Sequence, residues 1–199
     1  MYYIITIASL FFTFISDLDL PSKYTCRTGQ LHIETSNRFM DVVADNYQVY
    51  SELNPTSGEV SFKGLMKSFE FKMGALDQAF NSNRLDLSQY SKFTFNGNII
   101  NRSQINFESP GEYSVMVDGF LYIGSFKRKT SARGTIKVLD NGRLDTYADF
   151  SIRIEEESMN TINKLMKEKL PSVVALDTEK LGISRDISIS LKANYRPRN

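Results

Sequence analysis

With 199 residues, a formal net charge of +1, one Cys and one His, the chain has room for one domain with a substantial core. The near-zero charge provides no field to steer nucleic acid or an anionic substrate. A lone cysteine excludes an internal disulfide framework, and a lone histidine excludes a His-cluster metal site and leaves the commonest general base scarce.

Residues 1–16 carry no charged side chain. Their apolar run is shorter than the roughly 20 residues a spanning helix needs. A secretory signal peptide fits, although no basic residue leads it and no small-x-small cleavage site follows. An uncleaved anchor or a buried first strand fits the same composition. On the signal-peptide reading, residues 17–199 form the domain, which is then periplasmic or secreted. Cys26 lacks the small aliphatic lead-in of a lipid-attachment site and reads as a buried, inert thiol.

A first strand is expected at 23–33, with Gly29 marking a bulge or turn, and a second at 41–53. Asn54-Pro55-Thr56-Ser57-Gly58 is a dense turn signal. Residues 59–72 resume strand character, but Val60 and Phe62 alternate in one parity and Phe69 and Phe71 in the other, so a bulge or corner lies near Gly64. At 73–90 the period changes. Met73, Leu76, Phe80 and Leu87 fall on helical spacing, which predicts a short amphipathic helix, either packed on the sheet or lying as a lid over a pocket.

Residues 92–100 predict a strand with Phe93, Phe95 and Ile99 on one face. The stretch 113–138 is the longest patterned segment. Tyr113, Val115, Val117, Leu121 and Ile123 recur at every second position with Gly119 in register, and Gly124-Ser125 breaks the run, which predicts a hairpin. After the turn signal Asp140-Asn141-Gly142, Ala148, Phe150, Ile152 and Ile154 alternate with polar residues. Residues 155–170 predict a second helix, with Glu155, Glu156 and Glu157 at its positive end and Pro171 ending it. The last strand, 186–195, alternates most cleanly. The sum is an all-β domain of about eight antiparallel strands with two short helical insertions, and closure into a barrel would hide every edge.

By alternation, Phe93, Phe95, Val115, Val117, Leu121, Ile136, Val138, Phe150, Ile152, Ile187, Ile189 and Leu191 point inward. An eight-stranded barrel has an interior just wide enough for side chains or one slender ligand. Alternation alone leaves both open: a filled core serving a structural or partner-binding barrel, or a lined cavity.

The order of several segments resembles the YceI-like family, lipocalin-like barrels of bacterial envelopes, in a Bacteroidetes-type form. The resemblance is carried by Gly119-Phe120-Leu121-Tyr122-Ile123-Gly124 with Lys127 and Arg128 after it, by Ser57-Gly58-Glu59-Val60-Ser61-Phe62 and Ser68-Phe69-Glu70-Phe71-Lys72, and by Ala79-Phe80-Asn81-Ser82-Asn83 with Ser88-Gln89-Tyr90-Ser91-Lys92-Phe93. It covers roughly residues 24–195. Ala79 stands where the family often has His, Ser91 where it often has Pro, and the 155–182 connection is longer than is typical. The resemblance implies non-enzymatic binding or carriage of an apolar lipid, such as a polyisoprenoid or quinone-like molecule, in the lumen. Phe80, Phe93, Phe95, Val115, Val117, Leu121, Phe150, Ile152, Ile189 and Leu191 would line it. It implies no cofactor, no nucleic-acid partner and no firm membrane insertion once the signal is removed, and it is compatible with a homodimer.

Catalytic patterns do not emerge. There is no nucleophile elbow, zinc-protease helix, paired-cysteine motif or phosphate-binding glycine loop. Asp77 and Asp86 are two and a half helical turns apart and face opposite sides. Lys127, Arg128, Lys129 and Arg133 form the densest basic cluster, which reads either as a solvated strand edge or as a weak contact for anionic headgroups.

Overall fold

The period-two segments fold as strands and the turn signals separate them. The structure, a computed structural model, describes residues 20–36, 41–74, 77–78, 88–156 and 184–198. Nine strands run in chain order: β1 (Lys23–Ser36), β2 (Asp41–Leu53), β3 (Glu59–Leu65), β4 (Glu70–Phe71), β5 (Lys92–Ile99), β6 (Gly111–Ile123), β7 (Phe126–Val138), β8 (Leu144–Arg153) and β9 (Asp186–Arg198). All pair antiparallel in the order β1-β9-β8-β7-β6-β5-β3-β2, and β1 also pairs with β2, which closes the sheet into an eight-stranded barrel. β4 is an extra short strand on β2. Closure turns the alternation into an inside and an outside, and the inward residues merge into one apolar core.

Two local features permit this closure. β1 must serve two neighbours, and its ladder with β2 shifts register on either side of Gly29, the bulge expected there. A side chain at Gly29 would press on the Val49 carbonyl at 3.1 Å. The second feature is the corner expected near Gly64. There β3 leaves β2 through a 3₁₀ turn, Met66–Ser68, and β4 takes over the pairing, setting Ala44 opposite Phe71. Asn46, fully buried, spans the handover: its Nδ2 donates to the Leu65 carbonyl at 3.0 Å and its Oδ1 accepts from the Gln48 N–H at 2.9 Å.

The helical insertions are only partly within the described residues. Gly74, Asp77 and Gln78 are helical, and Ser88–Tyr90 is a 3₁₀ turn leading into β5. Phe80 and most of the 155–170 helix lie outside the described residues, as do residues 1–16. Glu155 and Glu156 are each met by an arginine, Arg128 at 2.6 Å and Arg185 at 3.4 Å.

The two barrel ends differ. At one end lie the 54–58, 100–110 and 139–143 connections, and there Ile105 and Phe107 fold inward and are buried. Phe107 stacks on Tyr24 (ring centroids 6.0 Å apart), and Arg102 lies over its ring at 4.7 Å while bonding to the Pro55 and Ile105 carbonyls. Asn101 ties the loop to β6 through the Ser114 carbonyl and the Met116 N–H, both at 2.9 Å. This end is plugged. The β1–β2, β3–β5, β6–β7 and β8–β9 connections gather at the other end.

Replacing Asn46 with Ala would strand a buried carbonyl and N–H, at a cost of about 1–3 kcal/mol. Urea unfolding should show that loss as a lower midpoint with an unchanged slope.

Candidate ligand-binding lumen

The barrel interior is built by the inward positions of all eight closing strands. Phe93, Phe95, Val115, Val117, Leu121, Ile152, Ile189 and Leu191 are buried in it, and Phe150 is half-buried against it. Alternation thus converges these nine onto one volume, and Phe80 lies outside the described residues. Ile136 and Val138 are also buried, and Ile187 is half-buried.

A ladder of phenyl rings runs through the middle. Phe62 stacks on Phe95 with centroids 4.9 Å apart and planes 9° apart. Phe93 approaches Phe62 at 6.3 Å and Phe69 at 5.6 Å, and Phe150 approaches Phe95 at 6.5 Å. Space for the ladder comes from paired glycines. Gly97 faces Gly119 across β5 and β6. A Cβ on Gly119 would come within 2.6 Å of the Phe95 ring and collide with the Asn96 carbonyl. The space that Gly119 leaves on the inner face is therefore occupied by Phe95.

Toward the other end, among the described residues, several inward side chains have less cover. Ile33, Phe71, Ile123, Phe150 and Ile187 are only partly buried, although they continue the core. They make an apolar mouth. Arg128, inward in register on β7, stands at the rim in its ion pair with Glu155. The basic cluster is thereby divided, because Lys127, Lys129 and Arg133 face outward.

Deeper inside is one polar contact that sequence reasoning missed. Ser51 and Tyr195 lie 2.5 Å apart, both buried, beside Cys26. The single hydroxyl proton of Ser51 goes to the Ser61 carbonyl at 2.7 Å, so Tyr195 donates to Ser51. Burial pushes the Tyr195 phenol far above its ordinary pKa, with the Ser51 bond opposing. It is held neutral and is unsuited to proton transfer near neutrality. A serine and a tyrosine at inward parity were visible in the sequence, but nothing there indicated that they would meet.

His32 lies on the outer face of β1. Its Nδ1 meets Asp45 Oδ1 at 2.6 Å, and its Nε2 faces Glu34 at 4.0 Å rather than a hydroxyl. No group of three or more potential metal ligands converges among the described residues. A groove of about 660 Å³ also opens on the outside, lined by Glu52, Ser61, Asn96, Asn98, Asp118 and Lys129 among others. Lys23, and after it Tyr50, hold the Glu52 carboxyl below its ordinary pKa by hydrogen bonding. That groove is lined by polar and apolar side chains alike, Phe120 and Val60 among them, and lies outside the barrel interior.

Two comparisons of the sequence, with family models and with curated proteins, give no match. Solved structures do match. A polyisoprenoid binding domain from Saccharophagus degradans, implicated in plant cell wall breakdown, superposes with a TM-score of 0.66 at 12% identity, over 89% of this chain and 99% of that one. This chain shares its fold with that domain. A YCEI protein from Campylobacter jejuni is also similar, at a TM-score of 0.43 and 12% identity, over 83% of this chain and 84% of that one.

The Ser51–Tyr195 bond predicts an asymmetry. Ser51→Ala leaves the Tyr195 hydroxyl buried without its acceptor and should cost about 1–3 kcal/mol. The double variant Ser51→Ala/Tyr195→Phe removes the stranded hydroxyl and should be more stable than Ser51→Ala alone, as thermal unfolding of the three proteins would show.

Proposed function

We infer that the protein is a non-enzymatic binding or carrier protein for a long apolar lipid, isoprenoid-like in character, which it holds in the barrel lumen in the periplasm or outside the cell. One observation carries this reading: among the described residues the interior is mainly apolar, with the Ser51–Tyr195 pair hydrogen-bonded inside it, plugged by Ile105 and Phe107 at one end and lined by partly exposed apolar side chains at the other. A core built only for stability gains nothing from leaving Ile33, Ile123, Phe150 and Ile187 partly in water, since burying each such side chain fully is worth roughly 1.5–3 kcal/mol. An apolar chain entering at the mouth recovers that term. The Saccharophagus degradans domain of the same fold, described as polyisoprenoid-binding, supports the ligand class.

Entry requires the phenyl ladder to open. Phe62, Phe93, Phe95 and Phe150 pack against one another and against glycines, so rotation of one ring displaces its neighbours. Phe95 over Gly97 and Gly119 is the point where a ligand chain would compete with the protein's own side chain. The uncharged residues 1–16 support export, with the signal removed, and the chain acts without cofactor.

Loading from detergent micelles with a fluorescent isoprenoid tests the reading. Wild-type protein should take up about one lipid per chain. Ile187→Asp, half-exposed at the mouth and tolerable to the fold, should bind at least roughly ten-fold more weakly, the equivalent of losing one apolar contact and desolvating a carboxylate. Uptake that is absent from the wild type, or unchanged by the mouth variant, would overturn it.

A further inference from the structure

The outward basic residues of the hairpin, Lys127 and Lys129, take no part in the lumen, and their neighbours on the barrel surface point to a separate role. β2, β3, β5, β6 and β7 lie side by side, so outward positions in register form ranks across them. One rank near the mouth is Tyr50, Lys63, Thr94, Tyr122 and Lys127. The next is Glu52, Ser61, Asn96, Phe120 and Lys129. At the rim Leu65 pairs with Lys92, with Lys67 on the corner turn and Tyr90 on the turn into β5.

Lys63, Lys67, Lys92, Lys127 and Lys129 are all exposed, and among the described residues none of them forms an ion pair. Large apolar side chains stand exposed between them: Leu65 at 48%, Phe120 at 39% and Tyr90 at 37%. Lys127 lies 4.4 Å from the Phe120 ring centre and 5.6 Å from that of Tyr122, and Lys63 lies 5.0 Å from that of Tyr50. Nearby acids are mostly engaged. Glu52 accepts from Lys23 at 2.8 Å and from Tyr50 at 2.6 Å, and Asp118 accepts from Ser131 at 2.7 Å. Glu70, on β4, lies beyond the corner.

Five exposed lysines that form no ion pair among the described residues, interleaved with exposed Leu, Phe and Tyr toward one end of the barrel, match the headgroup layer of an anionic bilayer. Aromatic rings partition to that interface and lysines meet the lipid phosphates. We propose that this face docks the barrel on an anionic membrane surface with the mouth turned toward the bilayer, so that an apolar chain passes between bilayer and lumen without crossing water. The proposal rests on the lumen reading for its purpose but not for its measurement.

The test is co-sedimentation of protein purified from its host with vesicles of phosphatidylcholine alone or mixed with phosphatidylglycerol, across a salt series. Binding should favour the anionic vesicles and weaken as salt rises. Each lysine should contribute about five-fold, so Lys63→Glu/Lys127→Glu/Lys129→Glu should lose at least 100-fold, roughly five-fold compounded three times. Leu65→Ser/Phe120→Ser should weaken binding at constant charge. Equal binding to both vesicle types, or no effect of charge reversal, overturns the proposal. So does a dimer, seen by sedimentation velocity, that charge reversal dissociates, because the face would then mate with a second copy. Loading from micelles should be unchanged in the charge-reversed variant. A wild-type protein that docks but never loads would refute the lumen reading, and one that loads but never docks would refute this one.

Discussion

β1 hydrogen-bonds to β2 along one edge and to β9 along the other, and everything else in the molecule depends on that double engagement. It closes the sheet, and closure alone divides each strand's side chains into an interior and an exterior set. An extended strand could not turn between the two neighbours without a break in register, and Gly29 provides it. Without closure, the same alternating pattern would give an open sheet with two exposed edges and a face seeking a partner.

The barrel is unequal along its axis as well as across its wall. Ile105, Phe107 and Tyr24 seal one end, while apolar side chains at the other keep partial contact with solvent. Between them phenyl rings pack on one another and over Gly64, Gly97 and Gly119, within the same core as the aliphatic side chains. A filled lumen and a ligand-binding lumen are not opposed in such a design. Phenyl rings packed over glycines form a core here, and under the proposed function they would also be a displaceable lining. On the outer surface, Lys63, Lys67, Lys92 and Lys127 stand toward the mouth with Leu65 and Tyr90, while the exposed Ile100 and Met116 lie toward the plugged end.

Much of this was legible in the sequence. Alternation is a direct imprint of strand geometry, so the strand positions and the inward set from Phe93 to Leu191 followed from it. The changed parity between Phe62 and Phe69 correctly marked a corner. Other features depended on contacts between residues distant in sequence and left no local trace. Phe107 lies in a connection with no strand or helix period to mark it, yet it plugs the barrel. Asn46 reads as an ordinary strand polar residue, yet it bridges two carriers of one ladder. Arg128 belongs by sequence to a basic cluster, but the alternation of β7 turns it inward while Lys127 and Lys129 turn out. Gly119 announced a space but not its occupant.

The central claim is that the lumen holds an apolar chain. Native mass spectrometry of protein purified from its own host, paired with organic extraction of the same sample, tests it most directly. The account predicts a bound species of about one per chain that partitions into the organic phase and carries an extended hydrocarbon skeleton. Protein that is consistently free of any such species, and takes up none when offered it, would contradict the account.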